Sequence, residues 1–178
     1  KGMPGVIVPR KTVVEVVKLL EGIEGEVEVA LSASKIRFTA GDLTLTSKLI
    51  DGAFPDYSRV IPTGNDKRLT VERAQFAEAV DRVSTISSER GRAVKLSMSE
   101  GRLVLAVNNP DSGSATEELA VEYDAEPMEI GFNSRYLLDI AAQLTGDTAL
   151  FRLADSGSPT LVQDNATGDS LFVLMPMR

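Results

Sequence analysis

Three groups of residues have types and spacing suited to chemistry. The first is a set of carboxylates, Asp155, Asp164 and Asp169, flanking the turns Gly157-Ser158-Pro159 and Ala166-Thr167-Gly168. Oxygen-rich loops of this kind hold calcium or magnesium, and that is the enzyme or metal reading. Their spacing matches no EF-hand, phosphate-binding loop or dinucleotide fingerprint, and Asp next to Gly is also plain turn chemistry. The second group is Arg10, Lys11, Glu15 and Lys18, one polar stripe at helical spacing opposite Val13, Val16, Val17 and Leu20. Such a stripe is either a solvated face with a Lys–Glu pair or a surface for phosphates. The third is the ending Val173-Leu174-Met175-Pro176-Met177-Arg178. Methionine adapts to different apolar ligands and proline stops an edge strand from pairing further, so this is either a closing edge strand or a docking surface.

Other chemistries lack their residues. Histidine, cysteine and tryptophan are absent, which removes Ser–His–Asp catalysis, thiolate nucleophiles, haem, iron–sulfur clusters and ordinary zinc sites. Lys+Arg total 19 against 26 Asp+Glu, a net charge of −7. Bulk electrostatics therefore argue against a simple groove-reading DNA binder, but leave room for a few cations gathered on one surface. No apolar run approaches the ~20 residues of a membrane helix, and the start has no signal-peptide pattern. The expectation is a soluble, cytoplasmic protein, in which the glycosylation-like Asn165-Ala166-Thr167 would not be modified.

These groups need elements to position them, and periodicity supplies a repeating order. Val6–Val8 reads as a short strand, followed by a helix from Pro9 to about Glu21 and strands at 27–31, 35–39 and 43–49. The order returns as a strand at 68–71, a helix to about Ser87, and strands at 93–98, 102–107 and 117–123. It returns again as 128–132, a helix over 134–144, and strands at 148–153, 160–163 and 171–175. The class is α+β, with repeated β-α-β-β-β modules and helices on one face of antiparallel sheets. In the helices, Phe76, Val80, Val83 and Ile86, then Leu137, Ile140, Ala141 and Leu144, are the expected core. Three modules make one and a half two-module domains. The aperiodic run Asp51 to Asp66 reads as a linker, so residues 1–62 are expected to be half a domain plus linker, and 63–178 a complete one.

Two segments are more than generic: Ile50-Asp51-Gly52-Ala53-Phe54-Pro55-Asp56-Tyr57-Ser58-Arg59-Val60-Ile61-Pro62 and the ending 173–178, supported by Val6-Ile7-Val8-Pro9-Arg10-Lys11, Asn108-Asn109-Pro110 and Met128-Glu129-Ile130-Gly131-Phe132-Asn133. The chain resembles, over essentially its whole length, the bacterial sliding clamp family, the β subunit of DNA polymerase III. The resemblance implies a non-catalytic processivity factor with the DNA clamp fold and no cofactor, here half of the middle domain plus all of the last. In that family two chains close a ring, and its helices line a hole that holds duplex DNA without reading sequence. The resemblance makes Lys11 and Lys18, with Arg10, the leading DNA-facing cations, and Arg82, Arg73 and Arg135 weaker ones.

The resemblance also implies a pocket for short linear peptides of polymerases, the clamp loader and repair proteins, at Pro55, Arg59, Val60, Tyr136, Val173, Met175, Pro176, Met177 and Arg178. Part of the opposite wall would lie upstream of Lys1, and Gly157-Ser158-Pro159 falls where the family varies, so the affinity of this chain is expected to be reduced. Ring closure maps to Thr85, Ile86 and Asp111, near Ser87-Ser88-Glu89-Arg90. The rival reading is a peptide-binding interaction module that never touches DNA.

Overall fold

The computed structural model describes residues 3–87, 91–164 and 170–177, and the chain divides into two compact units, Lys1–Asp56 and Tyr57–Arg178. In the first, α1 (Arg10–Leu20) precedes an antiparallel sheet of β1 (Glu28–Leu31), β2 (Lys35–Ala40) and β3 (Leu43–Lys48), in that order. Gly22, at φ 81, stops α1 in the left-handed conformation that glycine adopts freely. Thr12, Val16 and Leu20, at steps of four, form the sheet-facing row, and the Thr12 hydroxyl lies 2.6 Å from that of Ser47. Val13 and Val17 were expected on this side but are 48% and 56% exposed, because three strands are too narrow to cover both flanks of the helix.

The second unit holds two modules. One is β4 (Lys67–Glu72), α2 (Arg73–Ser84), β5 (Ala93–Ser99), β6 (Arg102–Asn109) and β7 (Gly113–Ala120). The other is β8 (Met128–Asn133), α3 (Ser134–Gln143), β9 (Thr148–Leu153), β10 (Thr160–Gln163) and β11 (Phe172–Leu174). Each helix begins directly after a strand, capped by a side chain that accepts first-turn N–H bonds: Glu72 from Ala74 and Gln75, Asn133 from Arg135. α2 stops at Ser84, three residues short of the expected end, where Ser84 and Thr85 turn their hydroxyls back onto the Asp81 carbonyl. β7 starts at Gly113 rather than 117, since a short turn lets Asn109 pair at once with Gly113. The polar Gly113-Ser114-Ala115-Thr116 start carries no apolar alternation to announce a strand.

The sheets do not follow the modules. Their orders are β7-β6-β5-β8 and β11-β10-β9-β4, so each module lends its first strand to the other's sheet. β4 pairs with β9 from Lys67↔Leu153 to Glu72↔Thr148, and β8 with β5 from Met128↔Met98 to Asn133↔Ala93. Each lent strand keeps a single bridge to the tail of its own module, Thr70↔Glu122 and Gly131↔Met177. The first unit has the same bridge, Ile7↔Ile50, but Val6–Val8 forms no ladder and is no strand among the described residues. The exchange lets one core run through both modules, from Phe76, Val80 and Val83 to Leu137, Phe151 and Leu153. The rings of Phe76 and Phe151 meet edge to face at 5.3 Å. No described helix is long and apolar enough to cross a membrane.

Candidate functional site

β11 is three residues long and pairs only with β10. Leu174 points into the core and Phe172 packs against it. Along the rest of this edge, Leu171, Val173 and Met175 line a cavity of about 480 Å3 with Tyr136, Asp139 and Ile140 of α3. The i, i+3, i+4 spacing sets those three α3 residues on one helix face. Met175 is 62% exposed, Tyr136 55% and Leu171 41%. Large apolar side chains are thus held open beside one carboxylate and one phenol, which suits an apolar segment carrying a few polar groups.

Of the expected pocket residues, the structure brings Tyr136, Val173 and Met175 together. Pro176 is half-buried, and Met177 turns away: its N–H donates to the Gly131 carbonyl at 2.8 Å, and its side chain lines a second cavity with Gly131, Ser156 and Gly157. Arg59 and Val60 sit exposed on a 3-10 turn, Tyr57–Val60, while Pro55 is an exposed residue of the first unit. Arg178 lies outside the described residues. Leu171 and Asp139 were missed, and Ile140 was read only as core. The helical spacing from Tyr136 was the available signal.

The matching place in the other module is filled. There α2 packs along β7, and Arg82 donates to Glu117 through Nε at 3.1 Å and through Nη2, with Nη1 reaching Glu78 at 3.3 Å. Glu117 holds the Arg82 guanidinium above its ordinary value, with Glu78 second, and in return the Glu117 carboxyl is lowered by its bonds from Arg82. Arg82 is therefore already committed to two carboxylates. Lys18 lies 3.6 Å from Glu15, and Arg10 and Lys11 are exposed on α1. Arg73 is spent on structure, donating to the carbonyls of Gly146 at 2.8 Å and Ala141 at 3.4 Å.

Ile86 and Asp111 are organised by a residue that was not singled out for a role, while Thr85 bonds back to the Asp81 carbonyl. The Asn109 amide donates to the Ile86 carbonyl at 2.7 Å, and its oxygen accepts from the Asp111 N–H at 3.0 Å. One side chain thus ties the end of α2 to the turn after β6. Residues 88–90 lie outside the described residues.

The turn carboxylates are engaged, Asp155 by its own turn and Asp164 by the connection between α3 and β9. Asp155 accepts from Gly157 N, Ser158 N and the Ser158 hydroxyl, all at 2.8 Å, and Asp164 accepts from Thr145 and Gly146. These bonds, that from the Gly157 N–H first in one case and the Gly146 N–H in the other, hold both carboxyls below the usual range. Among the described residues no three such side chains gather as metal ligands. Asp169 and Asn165-Ala166-Thr167 lie outside them.

Comparison with known proteins accounts for nearly every position. The family profile described as DNA polymerase III beta subunit, C-terminal domain, matches residues 58–178, and that of its central domain matches residues 1–56. The chain is 54% identical over 177 residues to the beta sliding clamp of Caulobacter vibrioides strain NA1000, covering 99% of this chain and 48% of that one. A crystal structure of the sliding clamp from Bartonella birtlesii, bound to griselimycin, superposes with a TM-score of 0.93 at 61% identity, over 99% of this chain and 48% of that one. The clamp structure from Caulobacter crescentus gives 0.92 at 53%, over 99% and 47%. The chain spans about half the length of the curated relatives it matches.

Proposed function

This chain belongs to the DNA polymerase III beta subunit family, and from that premise we propose that it is part of a non-catalytic sliding clamp. In this reading the whole protein closes around duplex DNA as a ring of two chains in the bacterial cytoplasm. It docks linear peptides of the replicative polymerase, the clamp loader and repair proteins, and so raises polymerase output by effective concentration. The observation that carries the reading is the open groove of Tyr136, Leu171, Val173 and Met175, at a place the sister module closes with ions. By resemblance to the family, Pro55, Arg59, Val60, Pro176, Met177 and Arg178 are proposed as further peptide contacts, Met177 from the cavity it lines with Gly131 and Gly157.

Residues 1–62 are proposed as the second half of the middle domain with its linker, and 63–178 as the last domain. The lone Ile7↔Ile50 bridge supports this: a lent strand has its full ladder only when a sister module is present, as in the second unit. Lys11 and Lys18, with Arg10, are the proposed contacts to DNA phosphates. Arg82 contributes to the field of the helix layer only through what its two carboxylates leave. Thr85, Ile86 and Asp111, the last two held by Asn109, form the proposed closing edge.

The full-length protein is expected to stay on closed circular duplex and run off linear duplex. Charge reversal of Lys11 and Lys18 to Glu is expected to shorten its residence, more so at low salt, where phosphate contacts weigh most. Peptide binding without retention on circles would leave an interaction module in place of a clamp.

A further inference from the structure

A cavity of about 320 Å3 opens where the end of α2 meets the start of α3, lined by Asp81, Ser84, Ser87, Arg92, Ser134, Arg135 and Leu138. Two arginines against one aspartate give these lining residues a positive balance. Neither guanidinium has a hydrogen bond or ion pair among the described residues, whereas Arg73 and Arg82 on the same helix layer are both engaged. Ser134 is 4% exposed, yet its hydroxyl has no partner among the described residues. A hydroxyl that no neighbour holds and that borders a cavity is available to donate to a ligand there.

The backbone is bent to build this corner. Arg92 has φ 45, and is the one non-glycine residue with positive φ among the described residues. Its carbonyl accepts from Ser134 N at 2.8 Å, fixing the strand entry to the first residue of α3. The Arg135 N–H is taken by Asn133, so the start of α3 contributes its dipole field rather than free donors.

We propose that this cavity is a phosphate site, taking one phosphodiester of a nucleic acid backbone with Arg92 and Arg135 as its cations and the Ser134 hydroxyl as a neutral donor. It rests on the clamp reading for the identity of the ligand, and it adds a contact that sequence assigned to neither Arg92 nor Ser134. Arginine suits the task because its planar fork meets phosphate oxygens in pairs.

The test is an amide-shift NMR titration of this chain, at low salt, with a short blunt duplex of mixed sequence and separately with inorganic phosphate. Expected are shifts at Ser84, Arg92, Ser134 and Arg135 with both ligands. Arg135→Gln should weaken the duplex about tenfold and lower the slope of log affinity against log salt by about 0.9. Arg92→Gly should weaken it similarly while holding or raising Tm, since glycine accepts this φ. Ser134→Ala should likewise lose affinity without losing stability, which a merely structural hydroxyl would not do. Shifts with duplex confined to α1, around Lys11 and Lys18, would overturn the site and leave the DNA reading standing. Shifts with phosphate alone would make it an anion site that DNA does not use, which also overturns the proposal. No duplex shift anywhere would overturn the site, while the clamp reading stands or falls separately on retention of the full-length protein on circular duplex.

Discussion

The two modules of the second unit place the same elements in the same order and treat one seam in opposite ways. Counted from the first residue of each helix, Gln75 matches Tyr136, Glu78 matches Asp139, Ala79 matches Ile140 and Arg82 matches Gln143. On α2 the arginine reaches across to Glu117, which lies on the helix-facing side of the eight-residue β7 between Ala115 and Leu119. On α3 the arginine is replaced, the facing strand is three residues long, and the seam opens onto apolar side chains. A clamp module therefore needs few changes to turn a packed seam into a docking groove: one cation removed, one strand shortened, one aromatic added. The core beneath stays common to both.

The largest effect separating the modules is expected in that core. Phe76→Ala should cost about 3–5 kcal/mol and Leu137→Ala, at the matching position, about 2–5 kcal/mol, read from urea midpoints. Phe76 should cost more, since it alone carries the edge contact to Phe151. Equal losses would mean that the ring pair adds nothing beyond the burial of Phe76.

Next is the corner held by Asn109. Removing its two bonds with Asn109→Ala should cost about 1–3 kcal/mol locally. Faster amide exchange is expected at Asp111, along with faster subunit exchange in the full-length protein. Asn109→Asp, which keeps the acceptor for Asp111 N–H and loses the donor to Ile86, should restore protection at Asp111 alone.

The smallest effect belongs to the ionic seam, because exposed pairs contribute little. The Glu117 carboxyl is depressed in the folded chain, so the pair's contribution is fully present above the ordinary carboxylate pKa and is lost as pH falls through the depressed one. Arg82→Gln should flatten the stability profile over that acidic window and leave neutral stability nearly unchanged. A large loss at neutral pH would mean that the seam is held by Arg82 rather than by the packing of α2 on β7.

The elements were legible because their apolar periods are local: α3, β9 and β10 fall within a residue of the sequence reading. Partner choice was not. Period-two alternation fixes the face a residue takes but not the strand it pairs with, so the exchange of β4 and β8 could not be read from either module alone. For the same reason Val13 and Val17 looked buried. Their helical period is sound, but the surface that would cover them is not among the three strands of that unit. In the groove, Tyr136, Val173 and Met175 were named together through motif resemblance, and the structure sets them around one cavity. Leu171 was read only as the first residue of the closing strand, which in fact begins at Phe172, and the seal at the sister seam joins residues 35 positions apart. The backbone bond from Met177 to Gly131, which sets it apart from its neighbour Met175, joins positions far apart in the chain and so left no local signal.

The central claim is that the α3–β11 seam docks a peptide. It is tested most directly by fluorescence polarisation of a labelled Gln-Leu-Ser-Leu-Phe peptide titrated with this chain and with its Met175→Asp variant. Burying a methionine contributes about 1.5–3 kcal/mol, so the variant should bind roughly ten- to a hundredfold more weakly. Gln75→Ala, at the matching place on α2, should leave binding unchanged. Equal affinity for the wild-type chain and Met175→Asp would contradict the account.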